Sequence, residues 1–180
     1  LPQGGFTIND STQCENDHQF VFSNSSSIPV TEGSLAYAWD LGDGNTATST
    51  DITKGYTGFD TLTVKLVASS SFGCKDSISK RIEILQKPQT HIVRLFSDSC
   101  VDSKVKFEAK DLEVSTPYSS EWLFSNNATG NKAIAETKYN TEGTKSLRLI
   151  VGNARGCLDT INYNFDLYNN PVAGFYATDS

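Results

Sequence analysis

The chain has 180 residues and a mass of 19.6 kDa, room for one large domain or two small ones. Its net charge is −6 and its pI about 4.8, with 37% hydrophobic and 20% charged residues. That balance argues against nucleic acid and anionic membranes as partners, because both are held by clustered Lys and Arg. The longest apolar runs, such as Leu66-Val67-Ala68 and Leu149-Ile150-Val151, fall far short of the roughly 20 residues a spanning helix needs, so no membrane insertion is expected. No signal peptide is recognisable.

Taken in chain order, apolar residues two apart mark strands at Phe20 and Phe22, at Leu35, Tyr37 and Trp39, at Leu62, Val64 and Leu66, and at Ile78, Ile82 and Ile84. The second half continues the pattern with Val105 and Phe107, Trp122 and Phe124, Leu147 and Leu149, then Ile161, Tyr163 and Phe165. Period two places alternate side chains on one buried face. Turn clusters separate the runs at 24–27, 42–45, 69–73 and 126–127. No stretch of a dozen residues has helical period. Ten Phe, seven Tyr and two Trp supply the core.

An internal repeat organises these strands. Trp39 and Trp122, Tyr56 and Tyr139, Val64 and Leu147, Leu66 and Leu149, and Cys74 and Cys157 are each 83 residues apart. Upstream the offset is 86, as for Phe6 and Ile92 or Cys14 and Cys100. Pro171-Val172-Ala173-Gly174-Phe175 resembles Pro2-Gln3-Gly4-Gly5-Phe6. The expected organisation is a domain over 1–87, a divergent second domain over 88–169, and the first strand of a third repeat, or a tail, over 170–180. The boundary near Gln86-Lys87-Pro88 has no Gly/Ser tract, which predicts a semi-rigid junction. With no initiator Met, the chain reads as a piece of a longer array. Six or seven short strands in about 85 residues predict an antiparallel sandwich, so the expected fold is all-β, two tandem Ig-like β-sandwiches.

Cys14, Cys74, Cys100 and Cys157 permit three connectivities. Cys14 and Cys74 are 60 residues apart, and Cys100 and Cys157 are 57 apart. These matched separations favour one disulfide within each unit, worth roughly 4 kcal/mol in the chain-entropy model. Disulfides imply an oxidising compartment.

The stretch Tyr37-Ala38-Trp39-Asp40-Leu41-Gly42-Asp43-Gly44, with Tyr56 and the strand Thr61–Ala68, resembles the polycystic kidney disease (PKD) domain. The family's strand-and-turn motif has Phe where this chain has Leu41. Physically, Trp39 points into the core, Gly42 and Gly44 supply unusual backbone angles, and Asp40 and Asp43 accept hydrogen bonds from turn amides. The second unit keeps Trp122 and Tyr139, but its Trp122-Leu123-Phe124-Ser125-Asn126-Asn127 lacks the Gly-Asp-Gly, so a different turn geometry is expected there. With the first-strand Cys and the Gly-Cys-x-Asp segments at Gly73 and Gly156, the chain is similar to PKD-like repeats of very large Bacteroidetes surface adhesins, including the one used in gliding motility.

The resemblance implies a non-enzymatic, extracellular stalk at the cell surface, a monomeric fragment whose neighbours are further repeats, with surface polysaccharide or protein as candidate partners. The alternative is an accessory carbohydrate- or protein-binding module of a secreted hydrolase, which predicts an exposed aromatic row. No cofactor is expected; some family members bind calcium, and Asp40, Asp43 and Asp51 are the weak candidates here. Asp-Ser/Thr-apolar triplets place candidate O-glycosylation at Ser11, Thr61, Ser77 and Thr160. His18 and His91 occupy non-equivalent positions and are expected on the surface, which leaves no catalytic constellation.

Overall fold

The computed structural model describes residues 1–15, 18–95, 99–111 and 119–174. The chain divides into two compact units, Leu1–Gln86 and Lys87–Ser180. The first contains β1 (Phe6–Ile8), β2 (Thr12–Cys14), β3 (Phe20–Asn24), β4 (Leu35–Asp40), β5 (Thr46–Ala47), β6 (Ile52–Lys54), β7 (Asp60–Ser70) and β8 (Lys75–Leu85). The second contains β9 (Thr90–Leu95), β10 (Lys104–Asp111), β11 (Ser119–Phe124), β12 (Thr129–Gly130), β13 (Ile134–Lys138), β14 (Gly143–Gly152) and β15 (Leu158–Leu167). The fold is all-β, as the alternation predicts; a single 3-10 turn at Val30–Glu32 is the helical element among the described residues. The would-be first strand of a third repeat falls largely on 175–180, outside the described residues.

Each unit is a β-sandwich. In the first, a three-stranded sheet in the order β1-β3-β6 faces a five-stranded sheet in the order β2-β8-β7-β4-β5. In the second, β13-β10-β9 faces β12-β11-β14-β15. Pairings are antiparallel, except that β2 runs parallel to the last strand, with Cys14 opposite Leu85. In the second unit the described part of that edge is a parallel bridge, Cys100 to Tyr168. Cys14 and Cys100, like Leu85 and Tyr168, are repeat equivalents, so the parallel pairing recurs in both units.

The alternating residues meet between the sheets. In the first unit Phe6, Phe20, Phe22, Trp39, Val64, Leu66 and Ile82 are buried together. The Phe6 ring stands edge-on to Trp39 at 5.1 Å, an arrangement that the ring quadrupoles favour. Phe107, Trp122, Phe124, Leu149 and Phe165 build the second core. An indole in a core must place its N–H. Trp39 Nε1 donates to the Ser49 carbonyl at 2.9 Å, and Trp122 Nε1 donates to the Lys132 carbonyl at 2.8 Å. Acceptor and donor are separated by the same ten residues in both units, so the repeat extends to a single hydrogen bond.

Candidate functional site

Two places concentrate the residues singled out by the sequence: the turn after Trp39 and the cysteine-bearing ends of each unit. The turn runs from β4 to β5. Gly42 and Gly44 have φ of +82° and +83°, the left-handed region that L side chains avoid. Gly42 is also crowded, since a Cβ there would lie 2.7 Å from the Thr63 carbonyl oxygen on β7. The Leu41 N–H donates to the Asn45 carbonyl and closes the loop. Asp40 Oδ1 accepts from the Gly42 N–H at 3.0 Å, and Asp43 Oδ1 from the Asn45 N–H at 3.1 Å. Beneath the turn, the buried Tyr56 hydroxyl donates to the Leu41 carbonyl at 2.9 Å. Burial, and secondarily the Asp43 charge, push the Tyr56 phenol well above its usual range.

The three calcium candidates serve separate structural bonds. Asp43 Oδ2 is 2.9 Å from Lys54 Nζ. Burial pushes the Asp43 carboxyl up, but hydrogen bonds from Lys54 and Asn45 outweigh it and hold it below its usual value. Asp51 Oδ1 accepts from the Asn24 N–H at 2.8 Å, joining β6 to the end of β3. The structure does not bring Asp40, Asp43 and Asp51 together, and no group of three His, Cys, Asp or Glu able to hold a metal occurs among the described residues.

The second unit corrects the expectation of a different turn, in part. The Phe124 N–H donates to the Ala128 carbonyl, the counterpart of the Leu41–Asn45 bond. Asn126 Oδ1 accepts from the Ala128 N–H at 3.2 Å, as Asp43 does from Asn45. Asn127 adopts φ +63° and takes the place of Gly44; Asn tolerates this conformation better than other non-glycine residues. Asn126 Nδ2 replaces the Asp43–Lys54 ion pair with a bond to Thr137 Oγ1 at 2.9 Å. The geometry changes only where Ser125 replaces Gly42. Its backbone stays out of the left-handed region, its N–H donates to the Ser146 carbonyl, and its hydroxyl lies 3.2 Å from the Tyr139 hydroxyl.

The cysteines require a second correction. Cys74 and Cys100 are free, while Cys14 and Cys157 are disulfide-bonded. Neither expected within-unit pair forms, and strand register gives the reason. Cys14 lies opposite Leu85, at the exit end of β8. Cys74 precedes Lys75, at the entry end of the same strand. At about 3.3 Å per residue the two ends are roughly 35 Å apart, whereas disulfide-bonded Cα atoms lie within about 7 Å. The second unit repeats the arrangement: Cys100 bridges Tyr168 beyond the exit end of β15, and Cys157 precedes its entry end. The entry turns match as well. Gly73 and Gly156 both have φ +85°; their N–H groups donate to the carbonyls of Ser70 and Asn153, and the Cys74 and Cys157 carbonyls accept from the N–H groups of those same residues.

His18, expected on the surface, is half-buried and structural. Its Nε2 accepts the Tyr56 N–H at 2.9 Å, which leaves Nδ1–H to donate to the Glu15 carbonyl at 3.1 Å. Its ring stacks on Tyr56 and meets Phe20 edge-on. No sequence pattern signalled this role. His91 is exposed. Asp76 accepts from the Gly4 N–H at 2.8 Å, and Asp159 pairs with Lys87 Nζ at 3.1 Å. The Gly4 and Ser77 N–H groups hold the exposed Asp76 carboxyl below its usual value. Ser11, Thr61, Ser77 and Thr160 are all exposed. The exposed aromatics Phe59 and Phe72 flank opposite ends of β7 and form no row.

The PKD domain family model matches residues 6–85. The chain is similar to the PKD1 domain of the Vibrio cholerae metalloprotease PrtV, at 25% identity over 46% of this chain and 95% of that one, with a TM-score of 0.40. It is similar to the PKD1 domain of Vibrio anguillarum Epp at 21% identity, over 46% of this chain and 92% of that one, with a TM-score of 0.40. Both units together are similar to the Bacteroides ovatus protein SGBP-B, solved with a mixed-linkage heptasaccharide, at 11% identity over 93% of this chain and 47% of that one, with a TM-score of 0.41. No curated protein sequence matches the chain.

Proposed function

Starting from a first unit matched by the PKD domain family, we propose that the chain is a non-catalytic spacer. Its two units are tandem PKD-like repeats of a large surface adhesin, of the kind found in Bacteroidetes, that acts in adhesion or gliding motility. PKD domains are typically non-catalytic modules of extracellular proteins. The observation that carries the reading is the depth of the repeat. The Trp Nε1–carbonyl bond, the Asx turn and the edge-strand bridge recur at matched positions in both units. What recurs is therefore what holds a sandwich together. The side chains that a ligand could read do not recur: Phe72 corresponds to Arg155, Phe59 to Glu142 and Lys54 to Thr137.

The polar motif residues are spent on internal bonds. Asp40 and Asp43 hold their own turn, and Tyr56 and His18 hold the segment beneath it. A protein of this kind separates a distal part from its anchor, and its work is to stay folded. The test is a binding assay of the 180-residue chain against a glycan array and against protein-coated surfaces. The expected result is no saturable binding. Saturable binding to a glycan or protein, abolished by Ala substitution of an exposed aromatic such as Phe72, would replace the spacer reading with that of a binding module.

A further inference from the structure

The cysteine pattern deepens the spacer reading and rests on it. Each unit carries one cysteine at the entry end of its last strand and one at the exit end, roughly 35 Å apart, too far to bond to each other. A disulfide partner for either must therefore come from outside its own unit. The two disulfide-bonded cysteines are one of each kind, the exit-end Cys14 and the entry-end Cys157. The two free cysteines are again one of each kind, the entry-end Cys74 and the exit-end Cys100. Cys74 is the repeat equivalent of the bonded Cys157 and is presented by the same Gly-Cys turn; Cys100 is the equivalent of the bonded Cys14 and lies in the same parallel bridge. Each free thiol is therefore built like one that is already in a disulfide.

Exposed apolar side chains accompany both free thiols and also the bonded Cys157, whose neighbour Leu158 is 57% exposed. Phe72, two residues before Cys74, is 74% exposed, and Tyr168, bridged to Cys100, is 61% exposed. Leu85, which holds the same place beside the bonded Cys14, is buried at 7%.

We propose that Cys74 and Cys100 are covalent coupling sites for further copies of this kind of unit, the exit-end Cys100 of one chain bonding to the entry-end Cys74 of another. Two thiols become one Sγ–Sγ bond, and two protons and two electrons leave. A small-molecule disulfide oxidant such as oxidised glutathione takes them up and is reduced to two thiols, by way of a mixed disulfide. The linkage is heterotypic, so copies join head to tail, into open chains or rings.

The test is oxidation of the 180-residue chain in a glutathione redox buffer, read on non-reducing gels and by peptide mapping. The expected result is a ladder of multimers joined by Cys74–Cys100 peptides. Cys74→Ser and Cys100→Ser each stay monomeric when oxidised alone, and an equimolar mixture of the two variants gives heterodimer. Chains that stay monomeric, whether with free or glutathione-capped thiols, would overturn the proposal. So would a Cys74–Cys100 bridge within one chain, or Cys74–Cys74 and Cys100–Cys100 links at the random share. Because the assay reads only thiol pairing, its failure leaves the glycan and surface binding result, and with it the spacer reading, where it stood.

Discussion

Substituting Gly42 and Gly44 separately divides the motif turn into its two physical requirements. Both residues sit near φ +83°, so alanine at either loses about 1–2 kcal/mol to the left-handed conformation. Alanine also lowers the entropy of the unfolded chain, equally at both positions. The two sites differ in space. A Cβ at Gly44 meets nothing within 4 Å, whereas one at Gly42 would lie 2.7 Å from the Thr63 oxygen, 3.2 Å from its nitrogen and 3.3 Å from Leu62 Cβ. Backbone in a sheet ladder cannot give way cheaply, so Gly42→Ala is expected to lose a further ~1–3 kcal/mol. In a Trp122→Phe background, Trp39 fluorescence reports the first unit alone. With an m-value near 1.5 kcal/mol/M, the urea midpoint of Gly42→Ala should lie about 1 M below that of Gly44→Ala. Equal midpoints for the two variants would refute the close approach between the turn and β7.

Three further outcomes are expected. His18→Ala leaves the Tyr56 N–H without its acceptor and should destabilise the first unit by about 1–3 kcal/mol, with faster exchange of the Tyr56 amide in hydrogen-exchange mass spectrometry. The Tyr56 phenol is raised in the fold, so its contribution is complete below the ordinary tyrosine pKa near 10 and is lost as pH rises beyond it. Tyr56→Phe should flatten that alkaline loss of the first-unit melting temperature, at a cost of about 1 kcal/mol at neutral pH. The Asp43 carboxyl is lowered from 3.8, so its contribution is complete above that value and is lost as pH falls through the depressed one. Asp43→Asn should therefore reduce the acid sensitivity of the first unit, measured by urea midpoints from pH 5 down to pH 2, and leave the second unit unchanged.

Much of the fold was legible because burial imposes period two on the strands that line the cores. Phe20 and Phe22, Leu62 through Leu66, and Trp122 and Phe124 all face a core. The repeat was legible because equivalent sandwiches need equivalent Trp, Tyr and turn residues. The disulfides were not. A separation of 60 residues gives the length of a loop, but it does not say that the cysteines flank opposite ends of one long strand. That depends on a parallel edge pairing only three residues long, too short to leave a pattern. His18 was hidden for a similar reason, since its acceptor role is fixed by a backbone N–H that any residue at position 56 would carry. The second-unit turn departs less than its sequence suggests because Gly-Asp-Gly is not itself the requirement. The requirement is a left-handed residue and an Asx acceptor, and Asn126-Asn127 meets both.

The parallel edge also determines how the first unit meets a pull on its two ends. Force entering before β2 and leaving after β8 drags these neighbours in opposite directions along their shared axis. The Ser11 carbonyl accepts from the Glu83 N–H at 2.8 Å, and the Leu85 carbonyl accepts from the Glu15 N–H at 2.9 Å. In this shearing geometry the bonds take tension together, whereas strands peeled from one end release their bonds singly. Among the described residues of the second unit, the Val101 N–H donates to the Tyr168 carbonyl and the Tyr168 N–H to the Ser99 carbonyl at this position. The same parallel edge therefore recurs in both sandwiches as the bonds that such a shear would load together.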